Sequence, residues 1–381
     1  SLTRAGTTLG SVPSAARAGI AHMPQLDALR AGAVFLVLVW HWWPQGGTVN
    51  AINHGRMGVV LFFVLSGFLI SRILLEQRIA AVQAGVSRLQ VLRAFILRRA
   101  LRILPVYYLT IILVTLLPWT PESWWKNLGY FATYTANVRF WQQGWSFGAH
   151  LWTLSVEEQY YLGWPLVLLF VNLRLLPFLL FLIVAGAPLC RFLGSGHELV
   201  YVLTPSCLDS FGLGAALAYV WVCRPLNERH FHYAGACLTG VLAFLTAIGR
   251  AGPRVVWEPL LLSLAGVLLV GKTARGFTGP LGRLLEFKPI THTGKISYGI
   301  YLFHPFVGYY YERLHAHAAA FGWRLPFGRW LLVPHFGPEA MFVLYTLLTF
   351  VLAALSWSIV ERPINDLRRG FGYLGKPRAP A

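Results

Sequence analysis

The sequence predicts an all-α, polytopic integral membrane protein of about ten transmembrane helices with both termini cytoplasmic. Three observations lead there. Of 381 residues, 56% are hydrophobic and only 12% are charged, against about 25% charged in an ordinary soluble domain. Apolar runs of bilayer length recur along most of the chain. They are continuous rather than short alternating segments, which selects helices over a barrel in a medium where every backbone polar group must be bonded internally. The 32 Lys and Arg residues are also split unevenly between alternate connections.

The spans fall at roughly residues 27–43, 56–75, 100–118, 150–171, 175–190, 208–223, 234–249, 256–271, 296–312 and 340–360. The longer connections are 76–99, 119–149, 272–295 and 313–339, and Pro and Trp in the second give it an interfacial reading. Residues 1–22 read as a weakly structured cytoplasmic tail, 23–366 as one transmembrane domain and 367–381 as a basic cytoplasmic tail. With the N-terminus inside, 23 of the 32 Lys and Arg residues lie on the inner side and 9 outside, which is the positive-inside bias. No repeat, low-complexity tract, soluble domain or cleavable signal peptide is expected.

The net charge of +18 would by itself fit nucleic acid. The loops of a membrane protein account for it better, because no folded basic domain or basic–aromatic groove stands apart from the spans. Cys190, Cys207, Cys223 and Cys237 make no C-x-x-C pair, so a zinc ribbon or redox motif is unsupported. Cys190 and Cys207 both fall near the outer face and are the pair open to a disulfide. His230/His232 and His315/His317 have metal-like spacing without a third ligand, so no metal is expected.

Ionisable residues inside spans are costly and mark function. The first span carries Asp27, Arg30 and His41. Arg30 and His41 are eleven residues apart, so at ~100° and ~1.5 Å per residue they share a face about 16 Å apart along the axis. The bland alternative is a snorkelling arginine and a histidine bonded to a neighbouring carbonyl. The fourth span opens with His150 and carries Ser155, Glu157 and Glu158; Glu157 shares the face of His150, and Glu158 points ~100° away. Glu157 and His41 reach similar depths, which suits a general base and its orienting carboxylate, or else a structural ion pair. In the ninth span Tyr298, Tyr301 and His304 recur every three residues, and Pro305 frees a backbone carbonyl; interhelical hydrogen bonding accounts for them equally well. Asp209 opens the sixth span as a cap. Arg98, Arg99 and Arg102, with Tyr107 beyond them, fit two roles, gripping phosphates or anchoring to lipid head groups.

At these residues the sequence resembles the acyltransferase-3 family, the O-antigen acetylase type of integral-membrane acyltransferase, over roughly residues 24–366. Six motifs occur in order: Asp27-Ala-Leu-Arg30 with His41 eleven residues on, Gly58 to Ile70, Arg98-Arg99-x-x-Arg102-Ile-x-Pro105-x-Tyr107, His150 to Gln159, Lys295 to Pro305, and Glu361-Arg362-Pro363. Val60 and Cys207 depart from the pattern, standing where the family often has an acidic residue and an arginine. A C-terminal soluble esterase-like domain is not expected after so short a tail. The resemblance implies transfer of an acyl group, most often acetyl, from cytoplasmic acyl-CoA as co-substrate to a glycan hydroxyl, such as a sugar of lipopolysaccharide or exopolysaccharide, in a bacterial inner membrane. No bound cofactor is implied. His41 would be the base, and Glu157 or Glu158 would orient it or bind the acceptor. Arg30, Arg98, Arg99, Arg102 and Tyr107 would hold the donor. Asp27, His150, Ser155, Tyr298, Tyr301 and His304 would support the acceptor. A secondary transporter or flippase of a lipid-linked or anionic sugar is the alternative, since intramembrane His and Glu also suit a proton relay.

Overall fold

A computed structural model describes residues 22–44, 49, 52–224, 233, 237, 240, 254–321, 336–367 and 370–373. Most of the expected span at 234–249, the pair His230/His232 and most of both tails lie outside the described residues. Among those described, every regular element is helical: α1 (Pro24–Trp42), α2 (His54–Gln83), α3 (Arg88–Leu116), α4 (Glu122–Ala132), α5 (Ala136–Gln143), α6 (Leu151–Phe170), α7 (Leu176–Leu193), α8 (Thr204–Cys223), α9 (Arg254–Arg275), α10 (Gly279–Leu285), α11 (Lys288–Lys295), α12 (Ser297–Phe321), α13 (Pro338–Ser356), a π-turn (Trp357–Glu361) and α14 (Arg362–Leu367). A helix thus stands at each of the other nine expected spans. Among the described residues, six helices are long and apolar enough to cross a membrane by length and composition. The expected spans outside that set are α1, α6 and α12, which carry His41, Glu157 and Glu158, and His304. Polar side chains turned into a bundle lower the mean hydropathy of the helices that bear them.

The core is three apolar clusters grouped around α2, which packs against α1, α3, α6, α8 and α9. Val59, Trp152 and Tyr298 each border two of the clusters, and the polar residues follow this seam. The expected interfacial segment 119–149 is more deeply engaged than its sequence implied. It folds into α4 and α5 and buries Trp124, Phe131 and Phe140 completely, with Trp124 against Phe306 of α12.

The crossing of α2 and α8 depends on glycine. A Cβ on Gly67 would stand 2.2 Å from the Phe211 carbonyl oxygen, and one on Gly214 would stand 2.2 Å from that of Val64. Backbone meets backbone, so no side chain can yield. Gly67→Ala and Gly214→Ala are each expected to push α2 from α8 and cost about 3 kcal/mol, the upper end of ordinary overpacking. Thermal unfolding of the detergent-purified variants measures this, and an unchanged midpoint for both would contradict the close approach.

Arginine also closes helix ends. Arg78 donates to the carbonyls of Leu168 and Val171 at 2.5 and 2.8 Å, and Arg88 to that of Leu169 at 3.2 Å. These satisfy the unpaired carbonyls at the end of α6, so part of the basic excess is helix capping.

Candidate active site

Three cavities follow one another along the bundle. The first, about 310 Å³, is lined by Asp27, Arg30, Arg72, Arg98, Arg99 and Arg102, and Tyr373 of the C-terminal segment closes one side. Arg30, Arg99 and Arg102 also line the second, a constriction of about 80 Å³ that includes Ser66, Glu157, Tyr161, Tyr298 and Tyr301. The second meets the third at Val59, Phe63 and Tyr301. The third, about 300 Å³, holds His41 and His150 within walls of Trp40, Trp145, Trp152 and Tyr201.

The arginine cavity is built by helix ends. Asp27 sits in the first turn of α1 and accepts from Arg30 at 2.6 Å and from His22 at 2.8 Å, which fixes the Arg30 fork toward the constriction. Arg98 donates to the Phe371 carbonyl at 3.1 Å and lies over the ring of Tyr373. Arg99 lies over the rings of Phe95 and Tyr161. Tyr107, expected beside these arginines, stands apart. Its hydroxyl donates to the Phe131 carbonyl at 2.8 Å and its ring stacks on Tyr134, fully buried beneath α4.

His41, His150 and His304 converge from α1, α6 and α12. The His304 ring is 4.7 Å from that of His41 and 5.5 Å from that of His150, centroid to centroid. Each ring has one nitrogen on a backbone carbonyl: His41 Nδ1 on Val37 at 2.8 Å, His304 Nδ1 on Tyr301 at 2.6 Å, and His150 Nε2 on Leu302 at 3.1 Å. A carbonyl only accepts, so these nitrogens carry the protons and a neutral ring presents a lone pair on the other nitrogen. The carbonyl that takes His304 is the one whose helical N–H partner Pro305 removes. His41 is the exposed member of the three, and it lines the third cavity beside the buried His150.

The carboxylates divide as their 100° separation implies. Glu157 lines the constriction and accepts from Tyr161 at 2.6 Å, and the Tyr161 hydroxyl is 3.0 Å from that of Ser66. Glu158 lines none of the three cavities. Orientation of His41 by Glu157 is replaced by a shorter-range device, the carbonyl of Val37 one turn back on the same helix. Ser155 also points away, donating to the Leu151 carbonyl at 3.1 Å. Tyr298 lines the constriction, and its hydroxyl lies 3.4 Å from the Ile103 carbonyl.

Asp209 is not a cap. It lies inside α8, fully buried, and accepts from Arg191 of α7 at 2.6 Å. Arg191 also reaches the carbonyls of Ser206 and, at 2.8 Å, Val256. This clamp joins α7, α8 and α9 behind the third cavity. Cys190 and Cys207 are unbridged. His315 and His317 lie on α12, and no group of three or more His, Cys, Asp or Glu side chains among the described residues is placed to hold a metal. Unanticipated features include Arg56, paired with Glu258 at 2.8 Å on the wall of the third cavity. The aromatic walls were also unforeseen, because Trp145 and Tyr201 come from connections without periodicity.

The chain is similar to the peptidoglycan O-acetyltransferase OatA of Listeria monocytogenes, 28% identical over 92% of this chain and 56% of that protein. It is 25% identical to the O-acetyltransferase OatA of Staphylococcus aureus, over 94% of this chain and 60% of that protein. It therefore spans little more than half the length of these curated relatives. No solved structure matches it significantly. Residues 23–360 match the acyltransferase domain family, and the cavities described above are lined by the motifs that carry the resemblance: the chain belongs to the acyltransferase-3 family.

Proposed function

We propose that the protein is a membrane-bound O-acyltransferase that moves an acyl group, foremost acetyl, from cytoplasmic acyl-CoA to a hydroxyl of a cell-surface or secreted glycan. The observation that carries this reading is the run of cavities from an arginine-lined mouth, through a constriction, to a chamber holding His41. The charge bias turns the arginine end toward the cytoplasm of a bacterial inner membrane. CoA brings phosphates that arginine forks hold and a thin pantetheine arm that can thread a passage too narrow for the nucleotide. The thioester then lies at the junction with the third cavity, where a sugar hydroxyl enters among aromatic walls. The relatives' names support a glycan acceptor, peptidoglycan among them; lipopolysaccharide and exopolysaccharide sugars carry the same hydroxyls.

In the reaction, His41 Nε2 takes the proton of the acceptor hydroxyl as its oxygen bonds to the thioester carbon. The tetrahedral intermediate then expels CoA sulfur, which leaves as the thiol with the proton returned by His41. Asp27 positions Arg30. Glu157 and Tyr161 line the path of the pantetheine arm, and His150 and His304 form the wall behind His41. The test is purified protein given acetyl-CoA and a glycan acceptor, with mass spectrometry of the glycan. An acetyl ester together with free CoA thiol is expected. Sugar movement across vesicles without any CoA release would favour a transporter and overturn this reading.

A further inference from the structure

Resting on the transfer reading above, we infer that Tyr301 is a catalytic residue, the hydrogen-bond donor to the oxyanion that forms on the thioester carbonyl. Three residues line both the constriction and the histidine chamber: Val59, Phe63 and Tyr301. A donor arriving through the constriction and an acceptor waiting in the chamber must react where the two cavities meet. Of the side chains shared there, Val59 and Phe63 are hydrocarbon, and Tyr301 alone carries a polar group.

The local hydrogen bonds leave that group ready for use. The Tyr301 hydroxyl lies 2.6 Å from Thr153 Oγ1 and 3.2 Å from the His150 carbonyl, and Thr153 Oγ1 is itself 3.0 Å from the same carbonyl. Two hydroxyls therefore share one backbone acceptor, whose two lone pairs can take both. With Thr153 donating to that carbonyl, the Tyr301 hydrogen can turn to a new acceptor without leaving the carbonyl unpaired, by rotation of O–H bonds alone. The ring is buried to 7% exposure and packs between Phe62 and the rings of His150 and His304. The hydroxyl oxygen is thus held in place before charge develops, and only its hydrogen has to turn.

The step balances. The acceptor oxygen bonds to the carbonyl carbon while its proton passes to His41. The carbonyl π pair moves onto oxygen, where it receives the Tyr301 O–H hydrogen bond. That pair returns as the C–S bond breaks, and the sulfur takes the proton back from His41. Tyr301 keeps its own proton throughout.

Tyr301→Phe removes only the hydroxyl, and Thr153 retains the His150 carbonyl as its partner, so the fold is preserved. The expected result is a fall in kcat of about 100- to 1,000-fold, the usual loss for one oxyanion donor, with KM for acetyl-CoA and for the glycan within about twofold. Fluorinated tyrosines incorporated at this position, being stronger donors, should carry kcat above that of Tyr301→Phe and raise it as the phenol becomes more acidic. A merely structural tyrosine would not give that dependence. A kcat for Tyr301→Phe within threefold of wild type, or a loss confined to KM, overturns the assignment while leaving acetyl transfer intact. Wild-type protein that never acylates a glycan overturns the transfer reading, and this assignment with it.

Discussion

His41→Ala is expected to lower acetyl transfer by about 10²–10⁴-fold, the range in which general-base catalysis contributes, while CoA affinity stays near wild type. The expectation rests on tautomer and exposure. Val37 holds Nδ1–H at 2.8 Å, so Nε2 keeps its lone pair, and His41 is the exposed member of the three-histidine cluster. His150 and His304 are fully or nearly fully buried and are poor substitutes as base. Steady-state kinetics with matched CoA titrations separates the two effects. Wild-type turnover in well-folded His41→Ala protein would remove His41 as the base.

The second large effect concerns the donor. Arg99→Ala/Arg102→Ala is expected to weaken CoA binding by about 10²–10⁴-fold, taking about 1.5–3 kcal/mol for each charged hydrogen bond. Both arginines line the mouth and the constriction, where the proposed donor would leave its nucleotide and begin its arm. Arg30→Lys should weaken CoA to a lesser degree, because lysine keeps the charge and loses the fork, and acceptor affinity should hardly move. Binding should also weaken with added salt, since the first cavity is partly open to solvent and its charges are screened. Calorimetry of CoA binding decides the matter. Unchanged affinity in all three substitutions would make these arginines positive-inside anchors and send the donor path elsewhere.

What the sequence revealed and concealed follows from the range of the interactions. Arg30 and His41 were placed on one cavity-facing line by helical periodicity alone, which is a local property of α1. The 100° divergence of Glu157 and Glu158 was legible for the same reason, as was the carbonyl freed by Pro305. That this carbonyl belongs to Tyr301 and is taken by His304 completes the local reading. The meeting of His41, His150 and His304 was not legible, because it depends on how α1, α6 and α12 pack across more than a hundred residues of sequence. Equal depth made Glu157 seem a partner for His41, yet depth fixes one coordinate only, and the nearer Val37 carbonyl takes the imidazole. Asp209 misled through position: at the edge of an apolar run it resembled a cap, whereas its partner Arg191 lies on α7. Tyr107 followed Arg102 in the motif but turns away from it, beneath Trp124 and Phe131, whose burial no periodicity announced.

The central claim is that donor and acceptor enter from opposite ends of one passage. Proteoliposomes of uniform orientation, given acetyl-CoA on the arginine side and a membrane-impermeant glycan only on the histidine-chamber side, measure it most directly. The account predicts acetyl esters on the glycan across the membrane from the donor, and none in His41→Ala vesicles. Esters that form only when acetyl-CoA and glycan share the same side would contradict it.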